Sequence, residues 1–151
     1  MHIYWDKQFE IGNTLIDTEH RMLIMLFRKL DIAIKTRQPH KTILRIIVEA
    51  KKFAEFHFIS EENLMYELNY PELAKHEVMH SQLLAQLEIL ISRISHKREF
   101  PDDLLFFMNK WLVTHIGKED SKIALYAMNS EQRPIGEEMY SQFLAAIHQT
   151  D

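Results

Sequence analysis

Residues 73–94 read LAKHEVMHSQLLAQLEILISRI, and their spacing decides the fold. Leu73, His76, His80, Leu83, Leu87, Leu90 and Ile94 recur at steps of three and four, as residues on one face of an α-helix do. Upstream, the segment after "TRQP" puts Ile43, Ile46, Ala50, Phe53, His57, Glu61, Leu64 and Leu68 on one stripe. Before it, Asp17 is a candidate N-cap for a segment carrying Ile16, His20, Leu23, Phe27, Leu30 and Ile34. Downstream of "EFP", Leu104, Met108, Trp111 and His115 lie beside a second row of Leu112, Ile116, Asp120 and Ile123. Prolines 39, 71, 101 and 134 stand just ahead of helical segments, where a missing N–H costs nothing. No stretch of useful length alternates as a strand would. Four amphipathic segments with short connections predict an all-α fold, an antiparallel up-down-up-down four-helix bundle. Ile135, Met139, Phe143 and Ile147, spaced four apart, predict an additional C-terminal helix whose apolar stripe needs burial. The chain thus divides into a bundle over residues 1–130 and a helical extension over 131–151.

The bulk properties narrow the chemistry. At 151 residues and 46% hydrophobic, the chain can bury one substantial core. A formal charge of −4 argues against nucleic acid as a partner, because phosphate binding needs concentrated positive surface. With only 3 glycines there is no Gly-rich phosphate cradle, and no G-x-S-x-G turn is present. Cysteine is absent, which removes disulfides, thiolate zinc sites and iron–sulfur clusters together. Any metal must be held by nitrogen and oxygen. The start, MHIYWDKQFE, lacks a basic region followed by an apolar run, and no apolar stretch approaches the ~18 residues of a spanning helix. The expectation is a soluble cytoplasmic protein without a membrane partner.

Seven residues interrupt the apolar stripes: His20, His57, Glu61, His76, His80, His115 and Asp120. Burying an unpaired polar group among leucines is costly. A single inward histidine is usually a hydrogen-bonded core residue, and a single acid usually reaches solvent or a base. Seven such residues from four segments have a simpler common cause, a shared metal centre. His57/Glu61 and His76/His80 are four apart and so aim at one point. His115 and Asp120 are five apart, roughly 140° around an ideal helix. That pair makes sense if two ions are bound, or if the helix bulges near Gly117.

"HEVMH" at 76–80 also matches the H-E-x-x-H of zinc peptidases. A peptidase would need Glu77 as general base and an open cleft, yet Glu77 lies about 100° around the helix from His76. Ferritin-type di-iron oxidases use two Glu-x-x-His motifs, and this chain has one, at 77–80. A nitrogen-rich set with two acids favours carrying oxygen over activating it.

The ordered set H…HxxxE…HxxxH…HxxxxD resembles the hemerythrin family. The likeness runs from residue 5 to about 126. It is carried by Trp5, "IDTEH" (16–20), "HFISEENLM" (57–65), "HEVMH" (76–80) and "WLVTHIGKED" (111–120). The resemblance implies a non-haem di-iron centre. His76, His80 and His115 would hold one iron and His20 and His57 the other, with Glu61, Asp120 and an oxo or hydroxo group bridging. Two octahedral ions offer about 12 positions, and this set fills all but one, on the two-histidine iron. In the family that position takes O₂ reversibly. By position, Phe58, Trp111, Leu112 and Ile116 resemble the apolar O₂ pocket. The implied function is reversible O₂ binding for carriage, storage or sensing rather than catalysis. The alternative is a sensing input domain acting through residues 134–151, as a homo-oligomer contact or a link to a signalling module. A di-iron oxidase or zinc peptidase ranks lower. Position 19 is glutamate where many relatives carry glutamine. His2, His40, His96 and His148 fall off the pattern and are expected at the surface.

Overall fold

A computed structural model describes residues 5–97, 102–129 and 135–149. After a short 3₁₀ turn (Lys7–Phe9) come α1 (Thr14–Lys35), α2 (His40–Glu67) and α3 (Leu73–Lys97). A fourth rod follows as α4 (Asp102–Lys110), a π-helical stretch (Trp111–Asp120) and α5 (Ser121–Met128), and α6 (Ile135–His148) comes last. No strand occurs among the described residues. None of their helices is long and apolar enough to cross a membrane.

Side-chain pairs show the alternating direction of the bundle. Lys29 bonds Glu49 while Ser60 bonds Glu19, so α1 and α2 run oppositely. His40 bonds the Ile94 carbonyl while His76 meets Glu61, so α2 and α3 do too. At the other end, the Tyr126 hydroxyl donates to the Asn69 carbonyl and ties the fourth rod to the α2–α3 turn. The predicted bundle with an additional helix is therefore what forms.

Two apolar clusters fill it. The larger includes Leu23, Phe27, Ile47, Phe58, Leu87, Leu104, Trp111 and Ile116. The smaller includes Ile11, Ile16, Leu64, Met65, Leu68 and Ile123. Along α1, α2 and the fourth rod, the polar residues singled out above fall between the two clusters. The metal-type residues thus form a polar layer between two apolar ones.

Two local expectations are corrected. Asn13, not Asp17, caps α1, accepting from the Ile16 N–H at 3.0 Å. Asp17 sits one turn inside and is buried, and its carboxylate accepts from the N–H groups of Ile11 and Gly12. It pins the N-terminal strap, which bends at Gly12 with φ +84°. On α6, the Met139/Phe143/Ile147 row is exposed, and Tyr140 and Leu144 are the half-buried residues. The helix packs against α1 but is turned by one residue from the expected face, since one neighbour covers only one narrow strip of it. The side chain of Ile135, Pro101, Pro134 and His2 lie outside the described residues.

The α1–α2 turn closes with a Schellman pattern, Gln38 N–H to the Ala33 carbonyl, and puts Arg37 at φ +53°. That left-handed position suits glycine. Arg37→Gly is expected to stabilise the protein by about 0.5–1 kcal/mol, read as a higher denaturant midpoint at unchanged slope.

Candidate metal centre

The seven residues meet at one place, and none is more than 5% exposed. On α2, His57 and Glu61 are one turn apart. On α3, His76 and His80 are likewise one turn apart. His115 and Asp120 sit on the π-helical stretch, whose i→i+5 bonding brings residues five apart back to one face. The 140° problem of an ideal helix is thereby removed: His115 Nε2 lies 3.1 Å from Asp120 Oδ1.

Each carboxylate divides its oxygens between two sets of histidines. Glu61 Oε1 lies 3.0 Å from His76 Nε2 and 3.1 Å from His80 Nε2, while its Oε2 lies 3.4 Å from His20 Nε2 and 3.5 Å from His57 Nε2. Asp120 Oδ1 faces His76 at 3.0 Å and His115 at 3.1 Å, while Oδ2 faces His20 at 3.2 Å. Two overlapping groups result, Glu61/His76/His80/His115/Asp120 and His20/His57/Glu61/Asp120, each with its donor atoms within 4.8 Å of one another.

The outward ring nitrogens fix what the inward ones offer. His20 Nδ1 donates to the Phe9 carbonyl at 3.0 Å, since a carbonyl only accepts. His80 Nδ1 donates to Glu62 at 2.9 Å, and His57 Nδ1 faces Glu19 at 3.4 Å. In a neutral ring so held, Nε2 carries a lone pair. Lone pairs then point at carboxylate oxygens, an arrangement that repels unless a cation lies between them. Consistent with this, His20, His57 and His115 Nε2, Glu61 Oε2 and both Asp120 oxygens are buried without an aligned hydrogen-bond partner. Orphaned buried atoms of this kind are rare, and here they converge. The donor set of imidazoles and carboxylates fits iron or another first-row metal ion.

Without metal, protons take the cation's place. Burial alone would lower the His20 and His76 pKa values, but the carboxylates of Asp120 and Glu61 outweigh it and hold each at about 10. His115 is also raised, burial being overcome by Asp120. Glu61 is held well below the usual carboxylate range: burial and the Asp120 charge oppose this, and His20, His76 and His80 prevail. Asp120 is depressed too, because His115, His20 and His76 overcome its burial. At pH 8 the metal-free protein therefore holds protons on His20 and His76 that an incoming cation must displace. Metal loading in weak buffer is expected to release about two protons per chain, followed with an indicator dye. Affinity should rise with pH from 6.5 towards 9, by about tenfold per unit for each proton displaced. No release would mean that the rings are already neutral.

Phe58 packs against the rings of His57, His80 and His115, and Trp111 stacks on Phe58. Phe58, Trp111, Leu112 and Ile116 are all buried. The Phe58 ring stacks on His80 at 3.9 Å and 7°, and Trp111 and Phe27 meet in a T-shaped pair at 5.4 Å. Glu77, the base a zinc peptidase would need, is exposed and outside both groups. His96 and His148 are exposed as expected, whereas His40 is half-buried and bonded to Ile94. The outer partners Phe9 and Glu62 escaped sequence reasoning, and Glu19 was singled out without its partners. The Phe9 contact is made by a backbone carbonyl, to which sequence is blind. The acids gave one faint signal, in that each directly adjoins a metal-type residue.

Residues 12–127 match the family described as hemerythrin HHE cation binding domain. The chain is 31% identical over 121 residues to a bacteriohemerythrin of Clostridium acetobutylicum, covering 77% of this chain and 94% of that protein. It is 28% identical over 122 residues to a bacteriohemerythrin of Stenotrophomonas maltophilia, covering 81% and 79%. A third, from Campylobacter jejuni, is 27% identical over 124 residues, covering 82% and 93%. A match over this much of the bundle, with the polar layer inside it, means that the chain belongs to the hemerythrin family.

Proposed function

We propose that this protein binds O₂ reversibly at a non-haem di-iron centre. The observation that carries the reading is the division of Glu61 and Asp120, each turning one oxygen to the His76 side and the other to the His20 side. His76, His80 and His115 would hold one iron and His20 and His57 the other, with Glu61 and Asp120 available to both. The two-histidine side is one donor poorer, and an exogenous diatomic ligand would be accommodated there. When bound, the iron pair supplies the two electrons that O₂ takes up and returns.

The chain's own residues do the rest. The Phe9 carbonyl and Glu62 fix ring orientation on His20 and His80, so that Nε2 points inward. Phe58, Trp111, Leu112 and Ile116 form a lining without a free charge. Such a lining excludes water and anions that would compete for the site or help oxidise it irreversibly.

Carriage and storage require only this chemistry. A sensing role has one observation in its favour. α6 packs on α1, the helix that carries His20, so α1 links the centre to Ile135–His148 and to a partner or second copy there. Comparing hydrodynamic size in the diferrous and diferric forms separates the two, since a carrier shows no difference. The reading itself is tested by loading the chain anaerobically with ferrous iron and cycling it between argon and oxygen. A visible charge-transfer band that appears and vanishes over repeated cycles is expected. A single irreversible oxidation, or turnover with an added substrate, would overturn it.

A further inference from the structure

We propose that Glu19 is the positioning residue that sets the electronic character of the two-histidine half of the centre, acting through His57. The inference rests on the di-iron reading above.

Glu19 is on α1, next in sequence to His20, but its carboxylate reaches across to α2. Oε2 accepts from the Ser60 hydroxyl at 2.9 Å, and Oε1 faces His57 Nδ1 at 3.4 Å. Ser60 thus holds the carboxylate in place, and the free oxygen is left for the ring. His57 Nε2, on the far side of that ring, is one of the buried atoms without a partner and faces Glu61. A carboxylate on the outer nitrogen of a metal-binding imidazole selects the tautomer and makes the inner nitrogen a stronger donor. A stronger donor favours the more highly charged state of the ion it holds.

The fold contains its own comparison. His80 has the same arrangement on the three-histidine side, with Glu62 at 2.9 Å from Nδ1. The two acids differ in solvent access: the Glu19 side chain is 5% exposed and that of Glu62 is 25%. Water screens Glu62, whereas Glu19 acts through protein alone, where a charge is felt more strongly. The Glu62 contact is shorter, so distance and screening oppose each other. Screening decides, because the effective dielectric varies several-fold between surface and interior while the two distances differ little. Position 19 therefore bears more heavily on the oxidation tendency of the centre than position 62. Glutamine at 19 keeps one acceptor oxygen for His57 and can turn its NH₂ to the Ser60 hydroxyl oxygen, so Glu19→Gln removes the charge while both partners stay satisfied.

Two measurements test this. In the first, metal-free wild type, Glu19→Gln and Glu19→Ala are titrated with cobalt(II), which needs no oxygen chemistry. Wild type is expected to take two ions. Glu19→Ala should weaken one of them by on the order of 10–100-fold and leave the other unchanged, and Glu19→Gln should weaken the same one less. In the second, anaerobic redox titration of the iron form should move the midpoint potential upward in Glu19→Gln, and further than in Glu62→Gln. A wild type that takes fewer than two cobalt ions overturns the di-metal reading itself. Two ions with both Glu19 variants unchanged overturn Glu19 alone. Equal weakening of both ions, or a larger potential shift in Glu62→Gln, also overturns it, because a merely structural role would act that way.

Discussion

Glu61→Ala is expected to abolish metal binding at both halves of the centre, taking the iron content of the purified protein close to zero. Its two oxygens are the inner neighbours of His76, His80, His20 and His57, so no other single change removes as many contacts. Glu61→Gln should fare little better. An amide offers one oxygen, and its NH₂ cannot act as a donor to a cation on the other side. The metal-free fold should suffer as well. Without Glu61 the protonated rings of His20 and His76 keep Asp120 alone as a buried counter-charge, and breaking a buried pair costs on the order of 3–5 kcal/mol. The pH dependence follows from the shifts. Raised histidines contribute stability that is full below pH 6.5 and lost as pH climbs through about 10. The depressed Glu61 contributes above its ordinary pKa of 4.5 and loses that contribution as pH falls through its lower folded value. The gap between variant and wild type should therefore be widest from about pH 4.5 to 6.5 and shrink towards pH 10. Denaturant melts of the metal-free proteins across that range check it. A gap that widens with pH would mean that the rings are not cationic.

Asp120→Ala is expected to be nearly as severe, and Glu119 should not rescue it. In an unbroken α-helix Glu119, four residues after His115, would be the natural chelate partner. The π-helical stretch puts Asp120 there instead, fully buried, and leaves Glu119 to bond Lys122 at 3.0 Å. Iron analysis of Asp120→Ala should show loss of metal from both sides, whereas Glu119→Gln should retain the wild-type content. Wild-type iron in Asp120→Ala, or loss in Glu119→Gln, would show that the helix binds metal in α-helical register.

The same stretch marks where sequence reading was strongest and where it stopped. Apolar periodicity disclosed the helices because burial of one face is a demand each segment states for itself. The seven polar interruptions disclosed the centre for the complementary reason: each contradicts its own stripe, and a common cause is simpler than seven accidents. The five-residue step from His115 to Asp120 signalled a poor chelate on an ideal helix. It left two ions and a bulge near Gly117 both open, and the backbone realises a ten-residue π-helical stretch across that point. The N-cap failed because Asp17 and Asn13 are both good caps, and only the strap's need for an acceptor for Ile11 and Gly12 separates them. For α6, the stripe gave the helix but not its rotation, which depends on how much of it one neighbour can cover. Glu19 was noticed as a departure from a familiar glutamine, but its partners come from another helix, and no local pattern encodes that.

The central claim is that these side chains hold a pair of ions sharing two carboxylates. The most direct measurement is anomalous X-ray diffraction at the iron edge from crystals of the iron-loaded protein. The account predicts two peaks roughly 3.5–4 Å apart, one within reach of His76, His80 and His115 and the other of His20 and His57, with Glu61 and Asp120 between them. A single peak held by the HEVMH histidines, or none among these residues, would contradict it.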